Sequence, residues 1–325
     1  MPGGQERVLR RRIKSVQSTK KITRAMELIA SSQIVRSQNR IRAAAPYQRG
    51  IAQVLADAAL DAGDTAGRVT GVPEAPERIV VLALVADRGL CGGYNANVLR
   101  RVERLVRAGR AQGQDYAIVA VGKKALSYLR FRGIEVTDAF TGFSDRPTFE
   151  DARRVAAIVT PQFVDESVDQ VFIVSTRFLS AGTQVVETRQ LLPLPEPGGA
   201  AMADDGDAVQ VAGPAAPDVP AATTATGEHP AAVGYTEFEP ESADLLVELV
   251  PRYVEAALFG ALLEAAASEH TARQRAMAAA TDNADELVKT LTRVMNRARQ
   301  DAITTEIMEI VGGAEALRQS AKAED

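Results

Sequence analysis

The chain has 325 residues, enough for two domains or for one domain with long extensions. Aromatics are only 5% and Trp is absent, which suits Ala- and Leu-rich helices better than a β-sandwich. A net charge of -4 makes no case for nucleic acid by itself, and the single cysteine, Cys91, excludes an intramolecular disulfide and suits a reducing compartment.

The N-terminus, MPGGQERVLRRRIKS, is basic but has no apolar stretch of the kind a secretory signal needs. No uncharged apolar run in the chain reaches the roughly 18–20 residues that span a bilayer, so any membrane association is expected to go through a partner. From about Gly4 to about Ala59 the sequence reads as one helix. Leu9, Ile13 and Val16 step by four and three; Ile22, Met26 and Ile29 repeat the pattern after a phase slip; Ile34, Ile41 and Ala45 extend it. Pro46 is expected to kink or interrupt it. A rod of roughly 80 Å is too long for a small domain to bury, so it must lie on another helix or inside a partner. Its charge is lopsided: cations from Arg7 to Arg49 face only Glu6 and Glu27 before Asp57. The reading is either a solvated face or a basic strip addressing an acidic protein surface or nucleic acid. With Tyr47 the only aromatic there, nothing stacks bases.

After the loop-like stretch Asp61–Glu77 the period changes. Arg78–Ala86, Tyr116–Val121 and Val171–Ser175 read as strands buried on both faces, with further strands at Ile134–Phe140 and Thr183–Leu192. Asn95–Arg110, Lys123–Arg132 (closed by Gly133) and Phe149–Val164 read as helices, the last shortened by Pro161. The alternation predicts a small, doubly wound, Rossmann-like α/β domain with a mostly parallel sheet over residues 78–192. Residues 193–240 form an acidic Ala/Pro/Gly insert whose composition predicts disorder. Helix resumes near Ser242, expected as an N-cap, and Pro251 is expected to split a short leading helix from a long one ending about Leu317. Within that helix Leu287, Leu291, Val294 and Ala298 step by four, three and four. After a slip of five, Ile303, Ile307, Ile310, Ala314 and Leu317 resume the alternation, which predicts a packing seam with a stutter-like phase change.

Candidate chemistry is sparse. Gly122–Lys123–Lys124 opens a helix after a strand, yet Ala117 and Lys124 stand where a phosphate loop needs Gly and Ser or Thr. Gly89–Leu90–Cys91–Gly92–Gly93 lacks dinucleotide-binding spacing. Cys91 has no histidine partner nearby in sequence, since the two are His229 in the insert and His270 on the C-terminal helix. Asp87 and Arg88, at the carboxyl end of the first strand, read equally as a turn-capping ion pair or as a contact. The polar run from Arg297 to Glu306 reads as a helix face shaped by surrounding protein. A nucleotide-binding enzyme with oligomerising rods, and a nucleic-acid tether, are the rival readings.

Three stretches, RRRIKSVQSTKKITRAMELIASSQIVRSQ, DRGLCGGYN and ASEHTARQRAMAAATDNADELVKTLTRVMNRARQDAITTEIMEIVGGAEAL, closely resemble the gamma subunit family of bacterial F-type ATP synthases. The insert lies outside that pattern. The resemblance implies a long antiparallel coiled coil of residues 1–60 and 241–325 added to the α/β domain. It implies a central rotary stalk that couples proton-driven rotation of the membrane c-ring to conformational cycling of the catalytic beta subunits. It implies no catalytic residue, cofactor or metal of the chain's own. The implied partners are the alpha and beta subunits, the epsilon subunit and the c-ring, without nucleic acid or direct bilayer insertion, at the cytoplasmic side of the cell membrane. Lys21, Arg24 and Met26 are the implied contacts with acidic beta segments. Arg88, Gly89, Leu90, Cys91 and Gly92 are implied at the lower rim of the hexamer. Gln300, Thr304 and Glu306 are implied against loops gripping the shaft, with Ile307 and Ile310 in an apolar sleeve. The C-terminal helix is also expected to outrun the N-terminal one.

Overall fold

A computed structural model describes residues 3–323, apart from 64–66, 68, 72, 74, 195–237 and 240. The expected disorder of the insert therefore falls outside the described residues, as does His229. Ten elements follow one another: α1 (Gly3–Ala62), β1 (Arg78–Leu84), α2 (Tyr94–Arg110), β2 (Asp115–Val121), α3 (Lys123–Phe131), β3 (Asp138–Phe140), α4 (Phe149–Val164), β4 (Gln170–Phe178), β5 (Gln184–Leu192) and α5 (Ser242–Ala323). They divide into two compact units, Met1–Ile29 with Ala276–Asp325, and Ala30–Arg275.

The larger unit is built on a five-stranded sheet of order β3-β2-β1-β4-β5. β1, β2, β3 and β4 are parallel, and β5 closes the edge antiparallel to β4. Period-two alternation sorts the strand side chains onto two faces. Ile79, Val81 and Ala83 of β1 pack with Val98, Val102 and Val106 of α2 and with Ala125 and Leu129 of α3. Val80, Leu82 and Leu84 point the other way, toward Val155 and Val159 of α4, Leu55 and Ala58 of α1, and Leu246, Val254 and Leu258 of α5. The near-continuous apolar strands are what burial on both faces requires.

Two glycines mark close backbone approaches. Gly122 has φ +102° and a Cβ there would lie 2.2 Å from the Val85 carbonyl oxygen. Gly260 on α5 faces the Gln48 amide of α1, 2.6 Å from where a Cβ would be. α4 opens with a capping box, in which the Asp151 amide donates to Thr148 Oγ1 at 3.2 Å and the Thr148 amide donates to Asp151 Oδ2 at 2.8 Å.

The expected interruptions at proline do not occur, and α4 keeps the expected bounds Phe149–Val164. α1 runs through Pro46, α4 through Pro161 and α5 through Pro251 as single helices. Each proline deletes one backbone donor, and packing of the helix on both sides of it outweighs that local loss. Ser242 is not a capping side chain. The Glu241 carbonyl accepts from the amides of Asp244 and Leu245, and the Ser242 hydroxyl donates to Asp61 of α1. The expected strand Ile134–Phe140 shrinks to Asp138–Phe140, because only that part pairs with β2.

The smaller unit is an antiparallel pair of helices. Lys20 bonds Asp285, and Thr23 Oγ1 lies 2.8 Å from Thr281 Oγ1, so the partner number falls as the α1 number rises. The covered stripe of α5 is Met277, Thr281, Ala284, Val288, Leu291, Met295, Ala298 and Ala302, an unbroken alternation of four and three. On α1 it is Leu9, Ile13, Val16, Lys20, Thr23 and Glu27, with Met26 at its edge. The expected slips are therefore absent from both helices. They arose from counting Ile22, Ile29, Leu287, Val294 and Ile303 as seam residues, whereas all five are exposed. The seam holds its phase with Thr and Ala, small enough for close approach, where apolar residues were sought.

Candidate functional site: a sealed sheet crevice and a bare helix face

The strand order reverses between β1 and β4, and the crevice at their carboxyl ends is where open α/β sheets hold ligands. Here α5 fills it. Tyr94 OH donates to the Ala265 carbonyl at 3.1 Å, and Ser268 Oγ donates to the Thr176 carbonyl at 3.3 Å. The Arg273 guanidinium donates to the Gly89 carbonyl at 3.4 Å and to Glu269 Oε1 at 2.8 Å. Arg275 donates to Gln184 Oε1 at 3.1 Å, to the Gly182 carbonyl at 3.0 Å and to the Ala181 carbonyl. His270 Nε2 donates to the Asp145 carbonyl at 3.0 Å. Three residues of one helix stretch, Arg273, His270 and Arg275, thus bind the loops that follow β1, β3 and β4, while Ala265 and Ser268 bind the start of α2 and β4 itself.

Burial tunes the groups in this joint. It pushes the Glu269 carboxyl up against the opposing pull of Arg273. It pushes the Cys91 thiol up, with Arg273 opposing and Glu269 adding to the rise. The Tyr94 phenol is held well above its usual range by burial and by Glu269. The His270 imidazole is held below its ordinary value by burial, which outweighs its bond to Asp145.

Asp87 closes the remaining anion-binding position. Its Oδ1 accepts from the Lys123 amide at 3.0 Å, and its Oδ2 accepts from the Gly142 and Ser144 amides at 2.8 and 3.1 Å. The Lys124 amide donates to the Ala86 carbonyl at 3.2 Å. The amides that a phosphate loop would turn toward its ligand are already engaged with the chain's own oxygens. Asp87 is therefore a brace across three loops and not one half of an ion pair with Arg88.

The turn after β1 orients its residues in two directions. Leu90 (φ +63°) and Gly92 (φ +56°) adopt left-handed backbone, which turns Leu90 and Arg88 outward. Cys91 is only 1% exposed, with Asn95 Nδ2 3.2 Å from its sulfur, and it packs beside Tyr94 beneath the turn. Gly89 is half-buried. In the smaller unit Lys21 and Arg24 are exposed, Arg24 bonding Glu27 at 2.8 Å, and Met26 is half-buried at the seam edge. Gln300, Thr304, Glu306, Ile307 and Ile310 are all exposed, and Thr304 Oγ1 returns to the Gln300 carbonyl at 3.0 Å. Sequence reasoning missed Glu269, His270, Arg273 and Arg275 as a joint. The signal was present: charged residues packed into SEHTARQR within a helix whose neighbours are Ala-rich. No helix of the described residues is long and apolar enough to cross a membrane.

These features define a class: an α/β domain whose ligand crevice is taken by its own terminal helix, joined in sequence to an antiparallel helical pair. The ATP synthase family profile matches residues 5–317. The chain is 44% identical over 322 residues to the ATP synthase gamma chain of a Parafrankia species, covering 98% of this chain and 99% of that one. It is 38% identical over 327 residues to the ATP synthase gamma chain of Streptomyces coelicolor, covering 99% of each. Among solved structures it resembles a chain of the Euglena gracilis mitochondrial ATP synthase assembly of OSCP, F1 and c-ring, with a TM-score of 0.64 at 18% identity over 98% of this chain and 97% of that one. The chain belongs to the ATP synthase gamma-chain family and is a component of that membrane-associated complex.

Proposed function

We propose that this chain is the central rotary shaft of a proton-translocating ATP synthase, coupling c-ring rotation to conformational cycling of the catalytic beta subunits. The observation that carries the reading lies in the smaller unit. There α5 continues past the start of α1, and Ile303, Ile307, Ile310 and Val311 stand bare on it. Apolar side chains with no seam partner favour an apolar sleeve, at about 25 cal/mol for each Å² removed from water. A sleeve that grips an asymmetric shaft has a contact energy that changes with angle, and that difference is what drives each beta subunit between conformations.

In this reading the chain is not itself catalytic. The occupied crevice and the engaged amides around Asp87 support that assignment. Lys21, Arg24 and Met26 meet acidic segments of the beta subunits. Arg88, Gly89, Leu90 and Gly92 meet the lower rim of the alpha–beta hexamer, with Cys91 setting the turn from beneath. Gln300, Thr304 and Glu306 meet loops gripping the shaft, while Ile307 and Ile310 enter the sleeve. The α/β domain meets the epsilon subunit and the c-ring, and the complex holds the chain peripherally at the cytoplasmic side of the cell membrane.

Met26→Lys in the purified complex tests the assignment. A new cation beside Lys21 and Arg24 should lower protons pumped per ATP hydrolysed, with the complex still assembled. A pumping-to-hydrolysis ratio equal to wild type counts against the proposed contact.

A further inference from the structure

Pro161 and Pro251 leave their helices unbroken, and both line one cavity. It has a volume of about 630 Å³ and lies between α4 and the leading turns of α5, within the larger unit. A helical proline brings no N–H to the carbonyl four residues before it. For Pro161 that carbonyl belongs to Ala157 and for Pro251 to Val247, and both of those residues line the same cavity. One acceptor from each helix is therefore left without its helical donor in a shared lining.

A third acceptor stands with them. Thr160 lines the cavity, is 8% exposed, and its Oγ1 has no hydrogen-bond partner among the described residues. Helical threonines elsewhere in the chain return their hydroxyl to the carbonyl four residues back: Thr271 donates to Ala267, Thr281 to Met277 and Thr292 to Val288, each at 2.8 Å. A buried hydroxyl left unmet is costly, and a partner from outside the chain relieves it. The cations of the lining are already taken. Arg153 bonds Glu150 at 3.2 Å and Glu255 at 3.5 Å, which ties α4 to α5, and Arg154 bonds Asp151. Asp165 adds a carboxylate just past the carboxyl end of α4, where the helix dipole also favours a positive charge. Val164 and Val247, 55% and 65% exposed, give the cavity apolar walls.

We propose that this cavity binds a free primary amine with an apolar body, of about the size of octylammonium, its ammonium meeting Thr160 Oγ1 and the Ala157 and Val247 carbonyls. An ammonium has three donors and no acceptor, which matches these three acceptors in kind and the surplus of carboxylates in sign. The hydrocarbon lies against Val164 and Val247. The volume falls within the range of small-molecule sites, about 300–1,000 Å³, and is more than one lysine side chain of a partner would fill. Pro161 and Pro251 then have a common role, which is to keep two carbonyls available to the ligand.

The test is calorimetric titration of the full-length chain with octylammonium, octyl sulfate and Nα-acetyl-lysine methylamide. Octylammonium is expected to bind saturably, one molecule per chain, and octyl sulfate at least about tenfold more weakly. Pro161→Ala returns an N–H to the Ala157 carbonyl and suits the helix, so this variant is expected to be at least as stable as wild type and to bind octylammonium about fivefold more weakly. Thr160→Val is expected to weaken binding about tenfold, while Thr160→Ser, which keeps the hydroxyl, stays within about twofold of wild type. A purely structural role for these residues would leave the affinity where it was. No saturable binding up to about 10 mM octylammonium, or equal affinity in wild type, Pro161→Ala and Thr160→Val, overturns the proposal. Octyl sulfate binding as tightly as octylammonium overturns the charge assignment and the proposal with it. Equal affinity for the lysine derivative would assign the cavity to a side chain of a partner and refute the free amine.

Discussion

The corrected seam of the helical pair makes a sharp prediction about two leucines one turn apart. Leu291 is 9% exposed and sits in the stripe, while Leu287 is 41% exposed and lies off it. Truncating a buried Leu to Ala removes its transfer energy and leaves a cavity, at about 2–5 kcal/mol in a closed core. A seam between two helices is open at its sides and collapses more easily, which puts Leu291→Ala near the low end, at about 2 kcal/mol. Leu287 gives up much less surface, so Leu287→Ala should cost about 0.5–1 kcal/mol. Amide hydrogen exchange on the full-length chain, followed along residues 281–298, reads these as local opening energies. About 2 kcal/mol corresponds to a fall in protection of roughly 30-fold, against about 2- to 5-fold for Leu287→Ala. Equal losses at the two positions, or a larger loss at Leu287, would refute the unbroken seam and restore a phase slip.

Three further outcomes follow from the geometry. Gly122→Ala places a Cβ against the Val85 carbonyl at a left-handed φ, so the α/β domain should lose several kcal/mol, on the order of 3 or more, seen as a large drop in thermal midpoint; a loss below about 1 kcal/mol would contradict it. Thr281 Oγ1 reaches the Met277 carbonyl and Thr23 Oγ1 the Lys20 carbonyl, each also facing the other, so two protons serve three contacts. Thr23→Val with Thr281→Val should therefore cost less than the sum of the single changes, and a double-mutant cycle that comes out additive would speak against this shared arrangement. His270 binds its proton more weakly folded than unfolded, so its contribution to stability is present above its ordinary value of 6.5 and is lost as pH falls through the lowered folded value. Between pH 7.5 and 5.5 the thermal midpoint of His270→Gln should fall less than that of wild type. Glu269, whose raised carboxyl acts in the opposite sense, is common to both chains and drops out of the comparison.

The sheet was legible because its strands are buried on both faces. Runs such as IVVLAL leave no amphipathic alternative, and the helices between them show a clear one-sided stripe. The helical pair was legible as helix but not in its phase. Periodicity analysis follows the largest apolar residues, and here Ile22, Ile29, Leu287 and Val294 lie outside the seam while Thr23, Thr281 and Ala284 lie within it. A chain that must satisfy both an internal seam and an outer surface places apolar residues on both, and one sequence does not separate the two demands. The joint was illegible for another reason. Arg273, Arg275, His270 and Ser268 bind backbone carbonyls, and a carbonyl leaves no residue-type signature in the loops that provide it. Prolines misled because their local cost was weighed without the packing of the helices they interrupt.

Rotation of the α/β domain against an immobilised alpha–beta hexamer tests the shaft reading most directly. Ser127 is exposed and Cys91 is buried, so Ser127→Cys offers a single attachment point for a gold particle on α3. With ATP supplied, the account predicts continuous rotation of the particle in one direction. A particle that stays fixed while the same complexes hydrolyse ATP would contradict it.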